Sequence, residues 1–356
     1  MKNKYDAVSL RPFTHLSPSV HTKVYALMVF LVPQILMLFL TQSWNSLWIL
    51  LVCVCASVAV VGIDCFFSRT HFFDWGTAVL RGLIIGMLVP SDYPLVPVFF
   101  IVLCVLLCLK HFFGDFASSW VNPAALVLAV CWLLSTHLFP AFPLQLHDLQ
   151  GKNTALVLFQ NGTIPVIPLD LKITAFLNKT VFSFFGVSVP EGYISLFWDS
   201  HSVIPAFRFN ALTLVSSIFL FSFDIINALV PAVYLIVYGL LVHFLAPLFY
   251  DGTVGQGDMI LAFLTSGTLY CAVFLLQWYG TLPITMIGQV FYGIFAGVTA
   301  FFIVGVGCSS VGSVFTVLVV NVIVPLIQAA ETVSEKHYLN AMLLPRVKAF
   351  KDGQNA

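Results

Sequence analysis

The sequence predicts an all-α integral membrane protein of about ten transmembrane helices, arranged as two inverted five-helix repeats with a long external insert between them. Three observations lead there. Hydrophobic residues make up 60% of the 356 and charged residues only 8%, where soluble proteins carry roughly 25% charged residues. Apolar runs close to the ~20 residues that cross a bilayer core of roughly 30 Å recur along the chain. One long polar stretch, 140–210, divides those runs into two groups.

Taken in order, the runs cover 24–40, 47–65, 78–90, 95–109, 123–139, 211–223, 225–249, 259–278, 284–304 and 314–327. The first follows a polar tail and lacks a small-residue cleavage site of the A-x-A kind, so it reads as a retained span and not a removed signal peptide. Short, Gly- and Pro-interrupted spans at matching positions of two halves point to inverted repeats with a central site. Here the third and sixth spans are the short ones, whereas a five-plus-five order pairs the third with the eighth. The chain divides into a first repeat with its N-terminal tail (1–139), the insert (140–210), a second repeat (211–330) and a C-terminal tail (331–356).

Charge sets the orientation and excludes partners. Fifteen Lys and Arg balance fifteen Asp and Glu, so no basic excess points to nucleic acid, and lipid is the partner of the apolar surface. The tails hold Lys2, Lys4, Arg11 and Lys23 at one end and Lys336, Arg346, Lys348 and Lys351 at the other. The positive-inside rule makes both tails cytoplasmic, which requires an even number of spans. The insert, Asp92, Asp251 and Asp258 then face outside, and Arg69 and Lys110 inside. The eight cysteines lie in or beside apolar runs without CxxC spacing and read as small apolar packers. Cys104 and Cys108 share a helix face at i, i+4, a weak metal signal, and no metal site is expected.

Ionisable groups near a membrane interior cost several kcal/mol unless paired or hydrated, so they are candidates for an ion path. Asp64, Arg81, Asp224 and His243 qualify. For Asp64 and Arg81, at the cytoplasmic ends of spans two and three, a structural ion pair and a place in the path are both open. Asn122-Pro123 supplies an N-cap and a first-turn proline for the fifth span. Gly82 and Gly86, at i, i+4, allow a neighbouring helix to come close.

Several stretches, read in order, resemble the RnfD/NqrB family, membrane components of the ion-pumping Rnf and Nqr flavoprotein complexes. They are Asp74 to Leu83 followed by Leu88-Val89-Pro90; Lys110-His111-Phe112-Phe113-Gly114 followed by Asn122-Pro123-Ala124; and Asn321 followed by Pro325-Leu326-Ile327. The match runs over nearly the whole chain and is most like the RnfD branch. The resemblance implies a translocase component of the bacterial inner (cytoplasmic) membrane that relays electrons through flavin and couples them to Na⁺ or H⁺ movement. It also implies FMN as cofactor, the other subunits of an Rnf-type complex as partners, and no activity for the chain alone.

The departures from the family pattern fall at the flavin and the pore. The family joins FMN to a threonine of an S-G-A-T-P-L motif, and here Ile167 stands in that place within Pro165-Val166-Ile167-Pro168-Leu169. Isoleucine has no hydroxyl, which leaves Thr163 as the nearby attachment candidate or the covalent flavin as lost. Leu282 replaces the acid of a T-D-P-V-T stretch, and Ala206 to Leu212 replaces a G-x-x-G-E-T-S-A-L-A stretch. A flavin held without a bond needs an apolar slot and a cation for its phosphate; Phe197, Trp198, His201 and Arg208 are the insert's candidates. No Rossmann or P-loop glycine pattern occurs, so no site for a nucleotide such as NADH is expected. The alternatives are an NqrB-like part of a Na⁺-translocating NADH:quinone reductase, an inverted-repeat permease or channel without redox chemistry, and a scaffold within the pump.

Overall fold

The computed structural model describes residues 18–68, 75–114, 119–139, 167–186, 188–189, 191–250, 254–255, 257–306 and 311–354, and among them there is helix and turn but no strand. The first half holds α1 (Val20–Leu40), α2 (Trp44–Ser68), α3 (Trp75–Leu88), α4 (Leu95–Phe113) and α5 (Pro123–Leu134). The described part of the insert forms α6 (Pro168–Thr180) and the short α7 (Tyr193–Trp198). The second half holds α8 (Asn210–Ser222), α9 (Leu229–Phe244), α10 (Met259–Thr265), α11 (Thr268–Tyr270), α12 (Met286–Ala300) and α13 (Gly312–Gln354).

Each predicted apolar run contains helix, and side-chain caps set several of the starts. Ser19 Oγ accepts from Thr22 N ahead of α1, Asp258 from Leu261 N ahead of α10, and Thr285 from Gly288 N ahead of α12. Among the described residues, five helical segments are long and apolar enough to cross a membrane: Val20–Leu40, Trp44–Phe67, Leu95–Phe113, Met286–Val306 and Gly312–His337. The apolar helices α3, α5, α8 and α9 are shorter.

Three boundaries differ from the sequence reading. The run 259–278 is not one helix: it breaks at Ser266–Gly267, restarts as α11 and continues as a π-helical turn, Cys271–Leu275. Gly267 has φ +69° and lies against the Phe207 ring where a side chain would sit, so a tertiary contact fixes the break. The run 225–249 starts helix only at Leu229, after an exposed turn in which Asp224 takes φ +54°, a left-handed conformation that Asp tolerates better than most residues. Last, α13 runs 43 residues, about 64 Å at 1.5 Å per residue, far beyond a bilayer core of roughly 30 Å.

The two halves repeat one packing pattern. In the first, α1 packs on α3, α2 on α3 and α4, and α5 on α3 and α4. In the second, α8 packs on α11, α9 on α10 and α12, and α13 on α12 and on the Cys271–Leu275 turn. The halves meet through α1 with α8 and α5 with α13. At the first of these joints Gln34 Nε2 donates to Thr213 Oγ1 at 3.0 Å, and Ser216 Oγ to Phe30 O at 3.1 Å. The Gly82 and Gly86 contacts are as close as the sequence suggests: an added Cβ would fall 2.5 Å from Val54 Cα and 2.6 Å from Leu50 Cα, both on α2.

Contacts also sort the connections into two ends. At one end Arg208 of the insert bonds Ser43 of the α1–α2 turn, Ser91 N donates to Val203 O, and Tyr193 donates to Asp258 ahead of α10. At the other, Asp64 of α2 meets Lys110 of α4, Gln277 and Gln289 both bond Asn227, and Glu331 caps α12. Connections that alternate in sequence thus gather at opposite ends, as a chain crossing back and forth requires.

Candidate functional site

The interior site is built where α5, α13 and the interrupted eighth segment meet. Asn122 is fully buried, and its Oδ1 accepts from Ala124 N at 2.9 Å and Ala125 N at 3.1 Å, closing the start of α5. Its Nδ2 donates to Leu275 O at 2.9 Å, a carbonyl at the end of the π-helical turn. Buried Asn321 of α13, with its amide turned so that oxygen faces Asn122, accepts from Asn122 N at 2.8 Å and donates to Val317 O. Two asparagines therefore join α5, α13 and the end of the broken eighth segment. At the break itself Asn210 Nδ2 donates to Leu264 O at 2.8 Å, while Ser266 Oγ donates to Ala262 O and lies 3.0 Å from Thr268 Oγ1. Breaking a helix inside a membrane strands carbonyls and N–H groups, and side chains of this kind satisfy them.

Around that junction the sequence candidates separate. Arg81 lies on α3, 5% exposed, beside the tight α2–α3 contact at Gly82. Asp64 Oδ2 is 2.7 Å from Lys110 Nζ, which gives the lysine of the Lys110–Gly114 stretch a structural task, holding the ends of α2 and α4 together. Asp224 is on the exposed turn between α8 and α9. His243 is half-buried, and its Nδ1 lies 2.8 Å from Gly257 O, clipping the segment before α10 to the end of α9. Cys104 and Cys108 are both exposed on α4.

Sequence reasoning missed Glu331. This carboxylate, 8% exposed on α13, accepts from Ile284 N and Thr285 N at 3.0 Å and from Thr285 Oγ1 at 2.5 Å. It sits over the N-terminus of α12, where the helix dipole favours negative charge. Gln328, one turn earlier, donates to Leu282 O. The Thr281–Thr285 stretch that lacks its motif acid at Leu282 thus receives a carboxylate from α13. The pair Gln328 and Glu331 at i, i+3 just past an apolar run was the available signal.

At the insert end, Arg208 does not stand open to a phosphate. Its Nε and Nη2 donate to the two oxygens of Asp199 at 2.8 Å each, its Nη1 donates to Ser43 Oγ at 2.9 Å, and the guanidinium lies 5.1 Å from the Phe209 ring centre. His201 Nδ1 is 3.9 Å from the same carboxylate. Trp198 is half exposed, and Phe197 lines a separate apolar cleft. Thr163 lies outside the described residues. Ile167 is the N-cap residue of α6 with Pro168 behind it, and it makes no side-chain cap bond.

The helix that follows is tied down by Asp170, a second residue the sequence reading did not single out. Its Oδ2 accepts from Ser195 N at 2.8 Å and Ser195 Oγ at 2.6 Å; Oδ1 accepts from Thr174 Oγ1 at 2.7 Å and Gly192 N at 3.2 Å. Burial pushes this carboxyl up, but the hydrogen bonds from Ser195, Thr174 and Gly192 outweigh it and hold the group below its ordinary value. An acid three residues into a helix whose first residue is Pro is a start signal legible in Pro168-Leu169-Asp170.

With this geometry in place, comparison with known sequences is decisive. The sequence profile of the NQR2, RnfD, RnfE family matches residues 7–336. The chain belongs to that family. It is similar to the D component of the Na⁺-translocating ferredoxin:NAD⁺ oxidoreductase complex of Acetobacterium woodii, with 25% identity over 292 residues, 80% of each chain. Within the NQR2, RnfD, RnfE frame, Lys110 and Asn122 hold helix ends together, whereas the insert position occupied by Ile167 offers no hydroxyl.

Proposed function

We propose that this chain is the RnfD-type membrane component of an Rnf-like, redox-driven ion-translocating complex of the bacterial inner membrane, with the other subunits as its partners. The observation that carries the reading is the repeated packing of the two halves about α3 and the broken α10–α11 segment, in a chain of this family. It supports ten crossings in two inverted repeats, with both tails cytoplasmic and the ion, Na⁺ or H⁺, crossing at the repeat interface. The buried polar groups there are Asn122, Asn321, Asn210, Ser266 and Thr268, with Arg81 buried on α3.

FMN is the cofactor that the family implies, and the described residues do not fit it. Ile167 cannot form a phosphoester, Arg208 is taken up by Asp199 and Ser43, and the polar groups on the apolar cleft are bonded to protein partners. That misfit favours a second reading, an inverted-repeat permease that keeps the frame without electron transfer. The test is affinity purification of the tagged chain from its native membranes, followed by donor-driven ion uptake in vesicles with and without it. Co-purifying redox subunits, and uptake that vanishes when the chain is deleted, support the redox complex. A chain that purifies alone and conducts a solute without an electron donor supports the permease.

A further inference from the structure

The insert is built inside out. On α6, Asp170, Thr174 and Asn178, at i, i+4 and i+8, turn towards α7 and the loop before it, where their hydrogen bonds are made. Leu169, Ile173 and Phe176, at i, i+4 and i+7, are 61%, 39% and 64% exposed. A helix lying in water does the reverse.

Beside this helix runs a cleft of about 300 Å³, with Leu177, Phe182 and Phe197 on the insert side and Leu214, Ile260 and Phe263 on the bundle side. That volume is at the lower end of the roughly 300–1,000 Å³ of small-molecule pockets. Three lining residues carry polar side-chain atoms, and each of these is engaged with protein. Thr174 donates to Asp170, Asn178 both donates to and accepts from Val189, and Tyr193 donates to Asp258. A ligand entering the cleft therefore finds contact surface but no side-chain hydrogen-bonding group set aside for it. A flavin ring, whose edge needs donors, is a poor match, and a hydrocarbon chain is a good one.

We propose that this cleft holds one acyl chain of a membrane phospholipid, which seats the insert on the outer leaflet. The cleft is continuous with the lipid-facing surface: Leu214 and Ile260 on its wall are themselves exposed, as are Val215, Ile218 and Phe219 along α8, the helix that carries Leu214. The apolar stripe of α6 then lies against neighbouring lipid, and the headgroup stays at the level of Lys172 and Lys179, which are exposed on α6. This inference does not depend on the redox chemistry of the proposed complex, but its assignment to the outer leaflet rests on the orientation proposed there.

The test is native mass spectrometry of the full-length chain extracted in mild detergent and washed, then delipidated and offered dioleoyl phosphatidylglycerol. We expect a single phospholipid mass per chain to survive washing and to return after the offer. Leu214→Trp fills the cleft from the bundle side and Leu177→Trp from the insert side; each is expected to lose that mass and the re-uptake. Two tryptophans from opposite walls guard against one variant failing to fold, and the untreated chain is informative without either. No retained lipid, an isoprenoid quinone mass in its place, a partner protein covering the stripe with no lipid beneath, or a lipid mass unchanged in both variants would each overturn the proposal.

Discussion

Replacing Asn122 by Leu keeps a γ-branched side chain of similar size while removing all of its side-chain hydrogen bonds. Two of those bonds close the start of α5 on Ala124 N and Ala125 N, and a third holds Leu275 O of the π-helical turn. Loss of an N-cap costs about 0.5–2 kcal/mol, and a buried carbonyl left without its donor adds about 1–3 kcal/mol. Asn122 is fully buried, so water does not readily replace the lost donor, and the sum is about 1.5–5 kcal/mol. At about 1.4 kcal/mol per tenfold, that raises the unfolded-to-folded ratio by a factor of roughly 10 to 4,000. The assay is the amount of full-length Asn122→Leu in membranes and its melting temperature in detergent, set beside ion uptake per assembled complex. Abundance and melting temperature should fall while turnover per complex is largely kept. A variant of normal abundance and melting temperature that has lost turnover would refute the structural reading and move Asn122 into the ion path.

Other consequences follow from single contacts. Gly82→Val should lower abundance sharply, because even a Cβ would fall 2.5 Å from Val54 Cα on α2, and overpacking of this kind costs about 1–3 kcal/mol or more; a melting curve of the purified variant checks it. Lys110→Met should destabilise by about 1 kcal/mol by removing the partner of Asp64, and the swapped pair Asp64→Lys with Lys110→Asp should recover part of that loss in the same assay. The carboxyl of Asp170 lies below its ordinary value in the folded chain, so its contribution is fully present above the unfolded value of about 3.9 and is lost as pH falls through the folded value. Proteolysis of the insert should therefore stay slow at neutral pH and accelerate below about pH 4, whereas Asp170→Ala should be cut quickly at every pH. Reporters fused at Gly353 and at Asn161 should report opposite sides of the membrane; the same side for both would make the number of crossings after the insert even instead of five.

The positions of the apolar helices were legible because membrane spans are written in composition and length, which depend on local sequence alone. The start of α5 was legible for a similar reason, since a cap followed by Pro is a local signal. The break in the eighth segment was not. A single glycine within an apolar run is compatible with continuous helix, and what breaks it here is the seating of Gly267 on Phe207 and the bond from Asn210 to Leu264 O. These are contacts with residues more than fifty positions away. The interruption falls in the eighth segment, whereas the third, α3, is a short but continuous helix of 14 residues. The same limit applies at the insert. Nearness of Trp198, His201 and Arg208 in sequence suggested a ligand site, but Asp199 lies among them and takes the guanidinium with two parallel hydrogen bonds. Charge complementarity inside a short irregular segment is settled by backbone geometry that composition does not carry.

The central claim is that this chain works as part of a redox-driven ion pump. Its most direct test is electron-donor-dependent ion uptake in inverted membrane vesicles, compared between cells that make the chain, cells that lack it, and cells given it back from a plasmid. The account predicts donor-dependent Na⁺ or H⁺ accumulation that disappears with the chain and returns with it. Accumulation that continues undiminished in its absence, or that occurs with the chain present but without any electron donor, would contradict it.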